Sequence, residues 1–417
     1  TDLAFSDNTN LRFKSVNWEV HSGKGHDHKN IYKLLKKAQI SKVPCLLNFK
    51  TTIGFGSPNK SAKASSHGSP LGSEEVKLTR SKLSWNEKPF QIPDKLLKIW
   101  RNSSTKNLQI YKKTKSISHT NLSNKDIDKL FNKIEIDLKD FKSDQATRKS
   151  SEAILHYFKE DHPILGGSAD LTGSNNTKGK EMSVMDSINT TGQYIHYGVR
   201  EHGMAAIMNG IAATKIYKTY SGTFLSFADY MKPSLRLAAL MKINPIQVFT
   251  HDSIGLGEDG PTHQPIEQIN MLRLIPNSYV FRPCDLKETI VCWREALKIN
   301  DAPSFICLSR QNLPQISNKK LDSKKFKGAY VIYGPKINND ITIIATGSEV
   351  SLAVNVAIRI RGDGIIAKVI SMPSTSVFEK QSKTFKNNLL KSKSNETFVI
   401  EAGSTMYWNK YTKYENI

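Results

Sequence analysis

The stretch IQVFTHDSIGLGEDGPTHQP, residues 246–265, joins a strand-like run of apolar residues to a loop rich in glycine, histidine and acidic residues. The run Ile246–Thr250 predicts a strand, and the segment 264–274 after the loop predicts a helix. The same alternation recurs along the chain. Strands that alternate with helices favour an α/β fold with a parallel sheet, which binds ligands at the carboxyl ends of its strands.

The loop itself fits several interpretations. It contains the dinucleotide pattern G-x-G-x-x-G, but Glu258 and Asp259 would then lie beside a phosphate and repel it. His251, His263 and the neighbouring acids match no compact metal-ligand spacing such as H-E-x-x-H. Two interpretations stay open: a structural loop with capping acids, and a loop that presents two imidazoles and a carboxylate to a hydroxylated substrate.

The composition indicates two or three domains, since the chain has 417 residues. No run of about 18 apolar residues predicts a membrane span. No secretory leader is recognisable. The first residue is Thr1 rather than Met, so we expect a processed chain or a fragment. The cysteines Cys45, Cys284, Cys292 and Cys307 form no C-x-x-C pair, which favours reduced thiols in a cytosolic-type compartment.

The formal net charge of +22 is the strongest compositional signal. A net positive charge of this size is typical of nucleic-acid-binding proteins. Most of the charge is lysine, however, and no arginine-rich run with interleaved aromatic residues is present. The charge therefore favours solvated surfaces and the attraction of anionic substrates, and we expect no nucleic-acid partner.

Four segments are predicted along the chain. Within the last of them, Ser348 is a candidate N-terminal cap for the helix at 350–358. The segments are 1–100, a basic polar linker at 101–133 that is rich in Lys, Ser and Asn, an α/β domain at 134–312, and a truncated α/β domain at 313–417. The predicted strands are 43–49, 164–165, 246–250, 278–281, 304–308, 341–345, 367–371 and 398–401, and the predicted helices are 30–39, 152–158, 204–213, 235–240, 264–274 and 350–358.

Two further motifs carry candidate chemistry. Glu201 begins a helix of small apolar residues, where it either complements the helix dipole or hydrogen-bonds a ring nitrogen of a ligand. Phe224, Phe227 and Tyr230 are spaced three apart in SGTFLSFADY, so on one helix they form a single stripe. Such a stripe packs into a core or forms an aromatic wall for a flat heterocycle.

Taken in order, these motifs resemble the transketolases. The resemblance covers nearly the whole chain except 101–133, and it rests on GGSADLTGSN, HYGVREHGM, GTFLSFADY, THDSIGLGEDGPTHQPIEQ, RPCD, LSRQNLP and IATGSEVSLA. It implies thiamine-diphosphate-binding α/β domains. Segment 1–100 resembles the end of the diphosphate-binding domain, 134–312 the pyrimidine-binding domain, and 313–417 part of the C-terminal domain.

The resemblance implies an enzyme that uses thiamine diphosphate to move a two-carbon ketol unit. The donor is a ketose phosphate of the xylulose 5-phosphate type, and the acceptor is an aldose phosphate such as ribose 5-phosphate or erythrose 4-phosphate, in the non-oxidative pentose phosphate pathway. In this family the active site lies between the subunits of a homodimer. The alternatives are a dihydroxyacetone-synthase-like ketol transferase and a non-catalytic transketolase-like binding subunit.

Cofactor residues follow from the same resemblance. Glu201 matches the acid that hydrogen-bonds the aminopyrimidine ring, and it is the leading candidate catalytic residue. Phe224, Phe227 and Tyr230 match the side chains that enclose this ring. Asp170 matches a residue near the cofactor.

Substrate residues also carry over, because a sugar phosphate needs cations and hydrogen-bonding groups. Arg148, Arg310, Ser174 and His251 match the family's phosphate contacts. The remaining candidates lie nearer the reacting carbons: Asp259 for a hydroxyl, and His263 and His67 for the carbonyl, with His67 also near the cofactor.

The chain departs from the family in two respects. Transketolases hold a divalent metal, Mg²⁺ or Ca²⁺, through a Gly-Asp-Gly motif and a downstream Asn, and neither is found here. We therefore expect an internal fragment that lacks metal ligands and is inactive alone. Ala64 also replaces a histidine that is common in the family. A cytoplasmic location is expected, or a plastid-type organelle if a transit segment has been removed.

Overall fold

The computed structural model describes residues 3–114, 122–158, 162–317, 321–322 and 325–417. The chain forms two compact units, which divide after residue 116.

The first unit is built mainly of helices around a two-stranded parallel sheet. Strand β1 pairs with β2 from Glu19–Cys45 to Lys24–Lys50. Asp27 caps the helix α2 by accepting hydrogen bonds from two backbone amides of its first turn, which is the usual role of an aspartate at this position. The elements are α1 (Thr9–Lys14), β1 (Glu19–Lys24), α2 (His28–Ile40), β2 (Cys45–Lys50), α3 (Ser65–Gly68), α4 (Ser73–Lys82) and α5 (Asp94–Thr114).

The second unit contains a six-stranded sheet in which every pair of neighbours is parallel, in the order β4-β3-β5-β6-β8-β7. Its elements are α6 (Asn124–Asp137), α7 (Thr147–Leu155), β3 (Ile164–Ser168), α8 (Thr172–Asn175), β4 (Tyr194–His196), α9 (Glu201–Ala213), β5 (Lys218–Phe224), α10 (Ala228–Met241), β6 (Pro245–Thr250), α11 (Gln268–Arg273), β7 (Tyr279–Phe281), α12 (Leu286–Lys298) and β8 (Ser304–Leu308).

Alternation along the central strands divides the core between the two faces of this sheet. Ile306 and Leu308 of β8 pack with residues of α6, α7 and α12 on one face. Phe305 and Cys307 of the same strand pack with α9, α10 and α11 on the other. Because both faces are covered, strands such as β8 are nearly continuous apolar runs, whereas the equally buried β5 has the sequence KTYSGTF.

A smaller sheet follows in the order β12-β10-β11-β9, with β9 antiparallel to β11 and the other pairs parallel. The elements are β9 (Tyr330–Tyr333), β10 (Ile341–Ala345), α13 (Glu349–Ile360), β11 (Ala367–Ser371), α14 (Thr375–Glu379), α15 (Lys383–Leu390) and β12 (Thr397–Ile400). The α/β class with parallel sheets is therefore confirmed.

Several details differ from the sequence expectation. The expected linker at 101–133 overlaps α5 and α6, and Phe131 and Ile134 of α6 are fully buried. Ser348 forms no capping hydrogen bond, and its hydroxyl instead donates to the Glu349 carboxylate. Four strands were not predicted: β1, β4, β5 and β9. Strands β4 and β9 are short, and β1 and β5 contain polar residues and glycine that interrupt the apolar pattern. The exact segment boundaries stay a prediction. No helix in the described ranges is long and apolar enough to cross a membrane.

Two isoleucines of α6 test whether this helix belongs to the folded core. Ile134 is fully buried and Ile136 is 64% exposed. We expect Ile134→Ala to lower the free energy of unfolding by about 2–5 kcal/mol, because it leaves a cavity. The matched Ile136→Ala should change it by less than about 0.5 kcal/mol. Urea denaturation measures both, and equally small effects would mean that α6 is only a linker.

Candidate active site

The candidate residues of the second unit cluster where parallel strands end. A loop leaves the carboxyl end of each strand, and these ends meet at one edge of the sheet. Asp170 and Ser174 follow β3, Glu201 follows β4, Phe224 ends β5, the loop 251–265 follows β6, and Arg310 follows β8.

His251 is the first residue after β6, and its backbone has a φ of 58°. A non-glycine residue in this left-handed region costs about 1–2 kcal/mol, so its surroundings must stabilise it. Its side chain is buried, its Nδ1 lies 2.9 Å from the Thr250 hydroxyl, and that hydroxyl donates to Asn175 Oδ1 at 2.7 Å. The ring also lies 3.8 Å from the Phe224 ring.

The three aromatic residues do not share one helix, so the predicted stripe is wrong. Phe224 ends β5, Phe227 closes a 3-10 turn, and Tyr230 lies in α10 with 65% of its surface exposed. The Phe224 and Phe227 rings stack 5.7 Å apart at 13°. His263 meets them edge-on, at 6.0 Å and 5.3 Å. The strand end and turn therefore build an aromatic surface bordered by both histidines.

Two arginines lie beside His251. Arg148 is on α7, whose first residue exchanges hydrogen bonds with Ser309: the Thr147 amide donates to Ser309 Oγ at 3.0 Å, and the Ser309 amide donates to Thr147 Oγ1 at 2.7 Å. These contacts bring Arg148 next to Arg310. Burial, and then the positive charge of Arg310, lower the pKa of Arg148.

The two guanidinium groups have different partners. Arg148 donates from Nη1 to the carbonyl of Ser174 at 2.5 Å, and its buried Nε has no hydrogen-bond partner among the described residues. Arg310 donates from Nη2 to Glu258 Oε1 at 2.7 Å, and Glu258 is 73% exposed. Such a pair can accept an oxyanion, and the exposed Glu258 carboxylate contacts one of the two guanidinium groups.

Asp259 faces His251, with Oδ2 lying 3.9 Å from Nε2. Burial, and then the charges of Arg148 and Arg310, lower the pKa of His251 to about 3. The imidazole is therefore neutral near pH 7, and this contact is not an ion pair. A neutral ring offers one donor and one acceptor to a polar ligand.

The remaining candidates lie in different environments. Glu201 is the first residue of α9, is 9% exposed, and accepts no hydrogen bond at its carboxylate within the described part of the chain. Asp170 has a φ of 61° and is exposed, as is the Ser174 side chain. His67 is exposed in α3 of the first unit, so its place in the site stays a prediction.

A buried ionic contact also reaches this loop, and the sequence analysis assigned it no role. Asp252 follows His251 and accepts a hydrogen bond at Oδ2 from Arg282 Nε at 2.8 Å. Arg282 is the first residue of the motif RPCD, and no local pattern in the sequence links it to Asp252.

Comparison with known proteins identifies the family. Three domain models match: the transketolase thiamine diphosphate binding domain at 1–130, the transketolase pyrimidine binding domain at 143–315, and the transketolase-like C-terminal domain at 328–417. The chain belongs to the transketolase family.

Individual relatives agree with this assignment. The chain is 41% identical to a transketolase of Buchnera aphidicola subsp. Baizongia pistaciae over 98% of its own length and 64% of the relative. It is 40% identical to transketolase 2 of Escherichia coli K12, covering 99% of this chain and 65% of the relative. It thus spans less than two thirds of these relatives.

Solved structures of the family are also similar. A transketolase from Leishmania mexicana superimposes with a TM-score of 0.89 at 33% identity, covering 99% of this chain and 63% of that one. A transketolase from Pichia stipitis, solved with sedoheptulose 7-phosphate, superimposes with a TM-score of 0.87 at 36% identity, covering 99% of this chain and 64% of that one.

Within this transketolase-family chain, the dinucleotide interpretation of the loop has no structural support. Gly257 and Gly260 have φ values of 89° and 81°, and no helix begins there; α11 begins at Gln268. In the described residues, no group of three or more His, Cys, Asp or Glu side chains could hold a metal ion. The glycines shape a loop that turns back over the aromatic surface towards His263.

The neutral state of His251 predicts a pH dependence of stability. Its pKa is about 3 in the folded protein and has an ordinary value of 6.5. Between these values the unfolded chain binds a proton that the folded chain does not, so falling pH costs up to about 1.4 kcal/mol per pH unit. We expect the stability advantage of the wild type over His251→Gln to shrink as the pH falls below 6.5. Urea denaturation across this window measures it, and parallel curves would contradict it.

Proposed function

We propose that the protein carrying this chain is a transketolase that binds thiamine diphosphate and transfers a two-carbon ketol unit between sugar phosphates. The observation that carries the proposal is the convergence of Arg148, Arg310 and neutral His251 at one end of the aromatic surface, since a phosphorylated polyol needs cations at one end and hydrogen-bonding groups along its length.

The proposed cofactor contacts are two aromatic rings and one carboxylate. The stacked Phe224 and Phe227 rings form a flat apolar surface, and Glu201 is a little-exposed carboxylate that accepts no hydrogen bond within the described residues. Such an acid can hydrogen-bond a ring nitrogen of an aminopyrimidine. Tyr230 and Asp170 are proposed as further neighbours of the cofactor. When bound, thiamine diphosphate supplies the nucleophilic carbon that breaks and forms the carbon–carbon bond.

The phosphate of the substrate is proposed to replace Glu258 at Arg310. An exposed ion pair such as Arg310–Glu258 contributes about 0–1 kcal/mol, whereas hydrogen bonds between a guanidinium and a charged ligand contribute about 1.5–3 kcal/mol. Arg148 Nε, which is buried without a partner among the described residues, supplies a further donor. Ser174 and His251 complete the proposed phosphate site. The Pichia stipitis relative was solved with a sugar phosphate, which supports this assignment.

The reacting carbons are proposed to lie between the two histidines. Asp259, beside His251, accepts a hydrogen bond from a substrate hydroxyl. His263, at the edge of Phe227, polarises the carbonyl or moves a proton, and His67 is proposed for the same region from its motif alone.

The wider assignments are also proposals. Exposed apolar residues on α9 and α10, among them Ile207, Leu237 and Leu240, support a homodimer. Three of the four free cysteines are buried, which is consistent with a reducing, cytoplasmic location. A role in the pentose phosphate pathway and a divalent metal, Mg²⁺ or Ca²⁺, follow from the family, and no metal ligand is proposed in this chain.

Glu201 tests the cofactor assignment. Glu201→Gln keeps the shape and removes the acid, so kcat for ketol transfer from xylulose 5-phosphate to ribose 5-phosphate should fall about 10²–10⁴-fold at saturating thiamine diphosphate. Steady-state kinetics of the protein that carries this chain measure it. An unchanged kcat would remove Glu201 from the mechanism, and transfer to formaldehyde in place of ribose 5-phosphate would favour the dihydroxyacetone-synthase alternative.

Arg310 tests the phosphate site. Arg310→Ala should raise KM for xylulose 5-phosphate about ten- to hundredfold, since it removes a charged hydrogen bond of about 1.5–3 kcal/mol. Hydroxypyruvate has no phosphate and should be affected far less. Arg359 is exposed on α13, so Arg359→Ala is the control for lost surface charge. Equal losses for both donors would refute the phosphate contact.

A further inference from the structure

The side chain of Arg282, which is 1% exposed, joins the two sheets of the second unit. Residues of the smaller sheet surround its guanidinium. Nη1 donates to the Thr346 carbonyl at 2.9 Å and to the Glu349 carboxylate, and Nη2 donates to Ser348 Oγ at 3.1 Å. Its orientation is therefore set by the segment that joins β10 to α13.

The backbone contacts make this arrangement rigid. The Arg282 amide donates to the Pro373 carbonyl at 2.7 Å, and the Gly347 amide donates to the Arg282 carbonyl at 3.1 Å. Gly347 has a φ of 53°, and a Cβ there would lie 2.8–2.9 Å from the Arg282 side chain. Only glycine therefore lets the backbone approach the arginine this closely.

The third nitrogen of the Arg282 guanidinium, Nε, points towards the candidate active site. Nε donates to Asp252 at 2.8 Å, and Asp252 directly follows His251. The second carboxylate oxygen of Asp252 is buried without a partner in the described part of the chain. Arg282 is thus the contact that fixes the Asp252 side chain, beside a residue whose left-handed backbone needs support.

We propose that Arg282 is a positioning residue through which the smaller C-terminal sheet holds His251 against Phe224 and the arginine pair. Glu349 orients the guanidinium, the guanidinium orients Asp252, and Asp252 determines the direction in which His251 leaves β6. The inference rests on the proposed function only in treating His251 as a substrate contact.

The position of the His251 ring can be measured without enzyme activity. The full chain is labelled at histidine Cε1, and the His251 signal is assigned with His251→Gln. In the wild type the Phe224 ring, 3.8 Å away, should shift this signal upfield. In Asp252→Asn and Glu349→Gln the signal should move downfield more than any other histidine signal, while the melting temperature shows that the chain is folded.

A second measurement links this position to anion binding. We expect the Kd for inorganic phosphate, measured by calorimetry, to rise about tenfold in both variants, which corresponds to about 1.4 kcal/mol. If the wild type binds no phosphate, the proposed anion site fails, but the NMR comparison still decides whether Arg282 positions His251.

Glu379→Gln is the matched control. It removes an acid of the same sheet domain that pairs with Lys386 and Lys410 and makes no contact with Arg282 in the described residues. The control should leave the His251 signal unchanged. If Asp252→Asn does not fold, Glu349→Gln decides, since Glu349 is 14% exposed. An unmoved His251 signal in the folded Glu349→Gln variant, or an equal shift in Glu379→Gln, would overturn the proposal.

Discussion

Parallel strand pairing is the constraint on which the candidate site depends. A parallel neighbour can be reached only by a crossover, so each strand of the larger sheet releases its chain at the same edge. Residues as far apart in sequence as Asn175 and Thr250, or Glu258 and Arg310, therefore meet without any long-range motif to specify it. Arg148 is the exception, because it precedes the first strand of this sheet. It reaches the edge through the reciprocal hydrogen bonds of Thr147 and Ser309.

The apolar strands were the most predictable part of the fold, whereas β1, β4, β5 and β9 were not predicted. Apolar runs such as Ser304–Leu308 and Ile341–Ala345 were predicted with the bounds observed, because these two strands contain almost no polar residues. The first residue of α9, Glu201, was also predicted correctly. Helix α6 was not, since its few large apolar residues are diluted by lysines and acids on its exposed side. The spacing of the apolar residues did not reveal that three of them are enough to form the buried face of this helix.

The site was predictable in residue identity but not in geometry. The spacing of Phe224, Phe227 and Tyr230 has helical periodicity, yet the chain changes from strand to turn to helix across these seven residues. Periodicity cannot detect such a change, since it assumes one regular element. The partners of Arg310 and Asp252 were equally hidden, because a hydrogen bond between distant residues leaves no local pattern.

The ionic network around Arg282 is better explained by geometry than by stability. Two arginines, Arg282 and Arg273, face three acids, Asp252, Glu349 and Glu401. Burial alone would raise the pKa of Glu401. The Arg273 guanidinium, which donates hydrogen bonds of 2.6–2.7 Å to both carboxylate oxygens of Glu401, lowers this pKa to about 2. Asp252 has no such bidentate partner, and burial raises its pKa although Arg282 opposes the shift.

Burying these groups costs several kcal/mol per ion, and well-packed apolar side chains of similar volume would stabilise the fold as well or better. Apolar side chains, however, make no directional hydrogen bonds and so could not fix the mutual orientation of the segments that pack around them. The guanidinium has donors on three sides in one plane, so the β10–α13 segment and the loop after β6 must meet it in one mutual orientation, and the arginine itself is anchored in the chain after β7. That requirement couples the smaller sheet to the residue that follows His251, and it makes the loop geometry a property of the whole second unit.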